Sequence, residues 1–191
     1  MNRVVAEEKE ALRRTMKMRI KNQKGSERRK RSKIIQEKIF CNEDFLTSGC
    51  VMLYVSKGTG EVETSPIIKK ALKMGKKVVL PVTLVREKNI KAVYLTDSKQ
   101  VFKKGLYGIY EPRLAPHKRP ARLKDIDLVI APGLAFDRGN NRLGRGQGYY
   151  DNFLKRLPHD TPRIGLGFRF QLFDEIPATK KDILLTTVIT D

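Results

Sequence analysis

The sequence predicts an α/β fold, a single-domain open, largely parallel sheet with helices on both faces. Three observations carry this expectation. Short apolar runs rich in β-branched residues, at 51–55 and 127–131, lack the polar alternation of a half-exposed strand and read as strands buried on two sides. Segments of helical periodicity alternate with these runs, as crossovers between parallel strands require. No repeat, low-complexity tract or linker divides the 191 residues, so 1–191 reads as one domain.

Taken in order, Leu12, Met16 and Ile20 recur every four residues with charges between them, the spacing of an amphipathic helix that ends by Gly25. Ser26 is the expected cap of a second helix with Ile34, Ile35, Ile39 and Phe40 as its apolar residues. Its run Arg28, Arg29, Lys30 and Arg31 reads as a solvated face, and residues 1–40 form a basic helical segment packed on the domain. The strand at 51–55 is bounded by Gly49 before it and by Gly58 and Gly60 after it. Ser65 as cap and Pro66 as first helical residue open a helix that runs to Met74 and stops at Gly75. Strands follow at 77–81 and 92–95, and residues 103–120, rich in Gly, Pro and Lys, read as a long loop. After the strand at 127–131 come a glycine-rich loop, a helix at 149–157 and closing strands at 163–167 and 183–189.

Composition restricts partners more than fold. Forty Lys and Arg against 21 acids give a formal charge of +19, and a field of that size draws polyanions such as nucleic acid, nucleotide or polycarboxylate. Fourteen of the basic residues and five of the acids lie in residues 1–40. Cys41 and Cys50 match neither a zinc pattern nor a disulfide scaffold, and no apolar run approaches the roughly 20 residues of a membrane span. The expected compartment is the cytosol and the expected state a monomer.

Chemistry concentrates after the strand at 127–131, in Pro132-Gly133, Phe136-Asp137 and the run Arg142-Leu143-Gly144-Arg145-Gly146-Gln147-Gly148-Tyr149-Tyr150-Asp151. Glycines at a strand–loop–helix junction let backbone N–H groups approach phosphate, and the helix N-terminus adds a favourable dipole. Arg142 and Arg145 supply forked donors for phosphate oxygens, and Asp151 supplies a carboxylate for magnesium. Tyr149 replaces the third glycine of a dinucleotide fingerprint, and no Gly-Lys-Ser/Thr marks a Walker loop.

The stretch from Arg142 to Asp151 resembles the signature of the 5-formyltetrahydrofolate cyclo-ligase (methenyltetrahydrofolate synthetase) family, and the resemblance extends over nearly the whole chain. It implies an ATP-dependent closure of 5-formyltetrahydrofolate to 5,10-methenyltetrahydrofolate, with ATP as co-substrate and Mg2+ as metal. It also implies that Lys9 and Arg13 contact ATP phosphates together with Arg142, Leu143, Gly144, Arg145, Gly146, Gln147, Gly148, Tyr149 and Tyr150. Arg145 and Lys9 would be the catalytic charges. Glu61, in Glu61-Val62-Glu63-Thr64, would accept from the pterin, with Tyr107 and the segment Arg145 to Tyr149 completing the folate site, and Asp151 would hold the metal. The family's second metal carboxylate falls at Thr186, which implies either magnesium held by Asp151, phosphates and water alone, or a substitute carboxylate from Asp182 or Asp191. The turn from Gly167 to Gln171 is similar to one in the family. His117 and His159 read as surface residues.

Glu61, Pro81, the glycine loop and Gly167 each follow or end a strand, which in a parallel sheet gathers them at the carboxyl edge where ligands bind. Two rival readings are a basic nucleic-acid-binding protein, for which no recognition module appears, and another ATP-dependent small-molecule kinase or ligase.

Overall fold

A computed structural model describes residues 3–56, 60–95, 102–104, 110–112 and 120–191. Helices α1 (Arg3–Lys21), α2 (Gly25–Phe40) and α3 (Glu43–Thr47) precede strand β1 (Cys50–Leu53). Helix α4 (Ser65–Lys73), β2 (Lys77–Leu84), β3 (Asn89–Tyr94), β4 (Phe102–Lys104) and β5 (Tyr110–Pro112) come next. The remainder comprises β6 (Leu128–Pro132), β7 (Ala135–Asp137), β8 (Arg142–Leu143), α5 (Tyr149–Leu154), β9 (Arg163–Leu166), β10 (Leu172–Phe173) and β11 (Thr187–Ile189).

The main sheet has the order β11-β9-β6-β1-β2-β3. All neighbours pair in parallel except β2 and β3, which are antiparallel. The chain enters at β1, builds β2 and β3 on one side, then crosses to build β6, β9 and β11 on the other. The carboxyl ends of β1 and β6 therefore diverge into connections on opposite sides, the crevice where open α/β sheets bind ligands.

The continuous apolar runs divide between two faces because successive side chains on a strand point opposite ways. Val51, Leu53, Val78, Leu80, Leu128 and Ile130 pack against Ile35 and Ile39 of α2, Phe45 of α3 and Ile67 and Ala71 of α4. Cys50, Met52, Val79, Val129 and Ala131 pack against Phe136 of β7 and Phe153 and Leu154 of α5. Helix α1 stands apart from both layers, burying Met16 against Leu134, Ala135, Leu143 and Ile176.

Several local expectations need correction. Lys24 and Thr64, not Ser26 and Ser65, occupy the N-cap positions of α2 and α4. The Thr64 hydroxyl is engaged outside its helix, donating to the Tyr54 carbonyl at 2.6 Å and accepting from the Ser56 N–H at 3.0 Å. Helix α3 escapes periodicity because it is five residues long, although Asn42 caps it through the Phe45 N–H. Helix α5 stops at Leu154, since Arg156 and Leu157 donate to carbonyls three residues back and tighten the turn before Pro158. The stretch expected as one long loop at 103–120 contains β5 and the end of β4, which pair antiparallel. The segment after β6 is more than a loop: β7 and β8 form a hairpin joined by β10 into a small sheet. Strands of two or three residues carry no readable period.

Candidate active site

A cleft lies over the carboxyl ends of β1 and β6, and the glycine loop forms one wall. Tyr54, Val55, Pro81, Ile90, Pro132 and Leu134 give it an apolar lining, while Glu61, Arg142, Arg145, Gln147 and Asp151 supply polar groups around it. An apolar pocket with few convergent polar groups suits a flat heterocycle that needs orientation.

The loop begins where β8 ends. Gly146 and Gly148 adopt left-handed backbone (φ +100° and +71°), which turns successive peptides within three residues and favours glycine at both positions. The Arg13 side chain of α1 reaches the same loop, its Nε donating to the Gly144 carbonyl at 3.0 Å. Leu143 belongs to the α1 core, so its contribution to any ligand is confined to its backbone.

The two loop arginines have different surroundings. Arg142 is buried: Nη2 donates to Asp151 Oδ1 at 2.9 Å and Nη1 to the Pro132 carbonyl at 3.3 Å. Its guanidinium also lies 5.4 Å from the centre of the Tyr150 ring. Arg142 thus ties the end of β6 to the start of α5. Arg145 is exposed, and its Nη2 meets Glu61 Oε1 at 2.9 Å. This ion pair links the segment after β1 to the glycine loop and brings together two residues 84 apart in sequence.

Asp151 lines the cleft with one carboxylate oxygen bonded to Arg142 and no described hydrogen-bond donor on the other. Among the described residues no three of His, Cys, Asp and Glu gather as a metal cluster. The donor set therefore fits magnesium only as a shared ion, with Asp151 as one ligand and the rest from phosphate and water, an arrangement magnesium accepts readily. Neither substitute carboxylate lines the cleft, and each has one oxygen engaged. Asp182 Oδ2 takes the Lys9 ammonium at 2.5 Å and the Thr179 N–H at 2.6 Å, and Asp191 Oδ1 takes the Arg169 N–H at 2.9 Å. Thr186 pairs with the backbone of Arg163 at the start of β9.

The Tyr150 hydroxyl is enclosed and meets no hydrogen-bond partner among the described residues. Burial pushes this phenol above its ordinary value, opposed by Arg142 and assisted by Glu61, so at neutral pH it is a protonated donor.

The structure brings Glu61, Arg142, Gly144, Arg145, Gln147, Gly148, Tyr149, Tyr150 and Asp151 to one cleft. Lys9 and Arg13 lie outside its lining, Arg13 against the loop and Lys9 against Asp182. Gly167 also lies outside it and packs on Phe136. Tyr107, Gly58 and His117 fall outside the described residues.

Sequence reasoning named Asp137, Gln171 and Ile20 but assigned none of them a part in shaping the site. Gln171 sews the turn after β9 to the cleft, donating to the Gly133 and Leu134 carbonyls at 3.0 Å each. Asp137, fully enclosed, accepts from the backbone of Asn141 and Ile176 and closes the hairpin that delivers Arg142. Ile20 of α1 lines the cleft although its spacing marks it only as core. The one available signal was polarity at positions that pattern as interior.

Comparison with known proteins identifies a family and a fold. Residues 5–191 match the family described as the 5-formyltetrahydrofolate cyclo-ligase family. The chain is 31% identical to the 5-formyltetrahydrofolate cyclo-ligase of Mus musculus over 188 residues, covering 95% of this chain and 92% of the mouse protein. It is 33% identical to a probable 5-formyltetrahydrofolate cyclo-ligase of Caenorhabditis elegans, covering 97% and 93%. The solved structure of 5,10-methenyltetrahydrofolate synthetase from Aquifex aeolicus superposes with a TM-score of 0.81 at 30% identity, covering 95% of this chain and 89% of that one.

Proposed function

The chain belongs to the 5-formyltetrahydrofolate cyclo-ligase family, and from that membership we infer that it is an enzyme that closes 5-formyltetrahydrofolate to 5,10-methenyltetrahydrofolate with ATP as co-substrate. The observation that carries the assignment of residues is the cleft between β1 and β6, where a carboxylate for the pterin and a glycine–arginine loop for the triphosphate face each other through Glu61 and Arg145.

The chemical difficulty is that a formamide carbon is a weak electrophile and its oxygen a poor leaving group. Transfer of the terminal phosphoryl group of ATP to the formyl oxygen releases ADP and gives an iminium phosphate. The lone pair of N10 then attacks the formyl carbon, N10 loses its proton, and the carbon–oxygen bond breaks to release phosphate. Such a transfer asks the protein for alignment and charge neutralisation more than for covalent help.

The apolar lining and Glu61 orient the folate, with the carboxylate accepting from the pterin. Tyr107 is assigned to the same ring on the sequence resemblance alone. Arg145, Arg13 and the amides of Gly144 to Gly148 receive the triphosphate, and Lys9 holds α1 behind them through its ion pair with Asp182. Arg142 acts from beneath by holding Asp151 and the start of α5 in place. Asp151 would hold magnesium, which when bound neutralises phosphate charge. The basic surface suits the glutamate tail, including polyglutamates, and the reading places a monomer in the cytosol. Among the described residues no helix is long and apolar enough to cross a membrane.

The test is the absorbance change of 5-formyltetrahydrofolate with ATP, measured on the wild type and on Arg145→Ala. Wild-type turnover and at least a roughly hundredfold lower kcat in the variant are expected, the scale of losing one transition-state charge contact. Folded wild-type protein without turnover overturns the reaction, and an unimpaired variant overturns the role of Arg145.

A further inference from the structure

Helix α2 carries a polar stripe buried against the segment that leads from Glu61 to α4. Arg28, Ser32 and Gln36 are spaced four apart and share one helix face, and all three bind one residue, Glu63. Arg28 Nη2 pairs with the Glu63 carboxylate at 2.9 Å, Ser32 Oγ accepts the Glu63 N–H at 3.1 Å, and Gln36 Nε2 donates to the Glu63 carbonyl at 2.8 Å. Backbone donor, backbone acceptor and side chain of that residue are thereby held by a single rigid element. Ser32 and Gln36 are buried, and the Arg28 side chain is only 12% exposed. A buried polar stripe is costly unless its partners are fixed.

Glu63 lies two residues beyond Glu61. On its other side Thr64 is fastened to Tyr54 and Ser56, and the Tyr54 hydroxyl donates to the Val62 carbonyl. The residues that follow Glu61 are therefore held by α2 at Glu63 and tied through Val62 and Thr64 to the end of the stretch leaving β1. We propose that Arg28, Ser32 and Gln36 are positioning residues for the folate, acting through Glu63 to fix where the Glu61 carboxylate stands in the cleft. Resting on the reading of Glu61 as the pterin acceptor, this assigns part of the basic helix to substrate specificity. A carboxylate misplaced by a fraction of an ångström loses alignment with a ring it must meet edge-on.

The experiment compares KM for 5-formyltetrahydrofolate and for ATP across Glu61→Gln, Gln36→Met, Arg28→Met, Arg28→Lys and Arg29→Met, with thermal midpoints recorded for each. Glu61→Gln checks the underlying reading and must raise the folate KM. Gln36→Met and Arg28→Met are expected to raise the folate KM about five- to tenfold, the scale of one hydrogen bond, with the ATP KM within about twofold. Arg28→Lys should recover most of the loss by keeping the ion pair. Arg29→Met removes the same charge from an exposed position and should leave both constants unchanged. If Glu61→Gln alone raises the folate KM, the proposal is overturned while the Glu61 reading stands. Equal rises in both KM values that track the thermal midpoint, or an Arg29→Met effect matching Arg28→Met, also overturn it. If Glu61→Gln leaves the folate KM unchanged, the reading beneath the proposal fails.

Discussion

At Asp182 two influences oppose each other. Burial alone would raise the carboxyl pKa, but hydrogen bonds from Lys9 and Thr179 and the charge of Lys9 outweigh it and hold the group below its ordinary value of 3.8. A carboxylate depressed in the folded state contributes stability that is present above the unfolded value and is lost as pH falls through the folded one. Asp182→Asn, which leaves the buried Lys9 without its partner, is therefore expected to lower stability at neutral pH. The difference from wild type should shrink below about pH 4, where the unfolded carboxyl takes up its proton. Urea unfolding at a series of pH values checks this, and a gap independent of pH would show that Lys9 and Asp182 do not interact as an ion pair. The same pair fastens α1 to the segment before β11, so its loss is felt by the loop that Arg13 touches.

Between elements, α1 approaches the segment after β1 closely beside the site. Gly60 has φ +108°, and a Cβ built there would stand 2.2 Å from Ile20 Cγ2, part of a side chain that lines the cleft. Gly60→Ala meets both left-handed strain and a collision with packed side chain, expected to cost about 2 kcal/mol or more and to lower the thermal midpoint by roughly 4–8 °C. Because Glu61 is the next residue, the folate KM should rise with it. Calorimetry and steady-state kinetics on the one variant measure both, and an unchanged midpoint would mean that α1 moves aside freely. On the opposite face, Phe136 of β7 sits beneath Gly133, Gly165 and Gly167, each of which would place a Cβ within 2.8 Å of its ring. That contact seats the small sheet on the ends of β6 and β9 and so fixes the height of the glycine loop above the main sheet.

Over the whole molecule, a charge of +19 exceeds what folding needs and works against compactness by self-repulsion. Its expected use is in encounter, because ATP and folate are both anions. Raising ionic strength from about 0.05 to about 0.5 M shortens the screening length to a few ångströms and is expected to lower kcat/KM for both substrates severalfold while kcat holds. Rates measured across a salt series test this, and a flat kcat/KM would assign the surface charge to something other than steering.

Family resemblance supplied Glu61; sequence alone determined the alternation of strand and helix and the glycine–arginine loop. Each is written in a local signal: a run such as 128–131, a cap or breaker such as Gly75, or a spacing within ten residues. Only tertiary structure decided which charges are buried and against what. Arg142 and Arg145 are indistinguishable in the motif, yet one is buried against Asp151 and Pro132 while the other stands exposed across from Glu61. Arg28 and Arg29 are adjacent in a run that reads as solvated, yet Arg28 grips Glu63 and Arg29 faces solvent. The role of a charge depends on its neighbours in space, 35 residues away for Arg28 and 84 for Arg145. No period or propensity encodes that distance, because it is set by which strands lie side by side in the sheet.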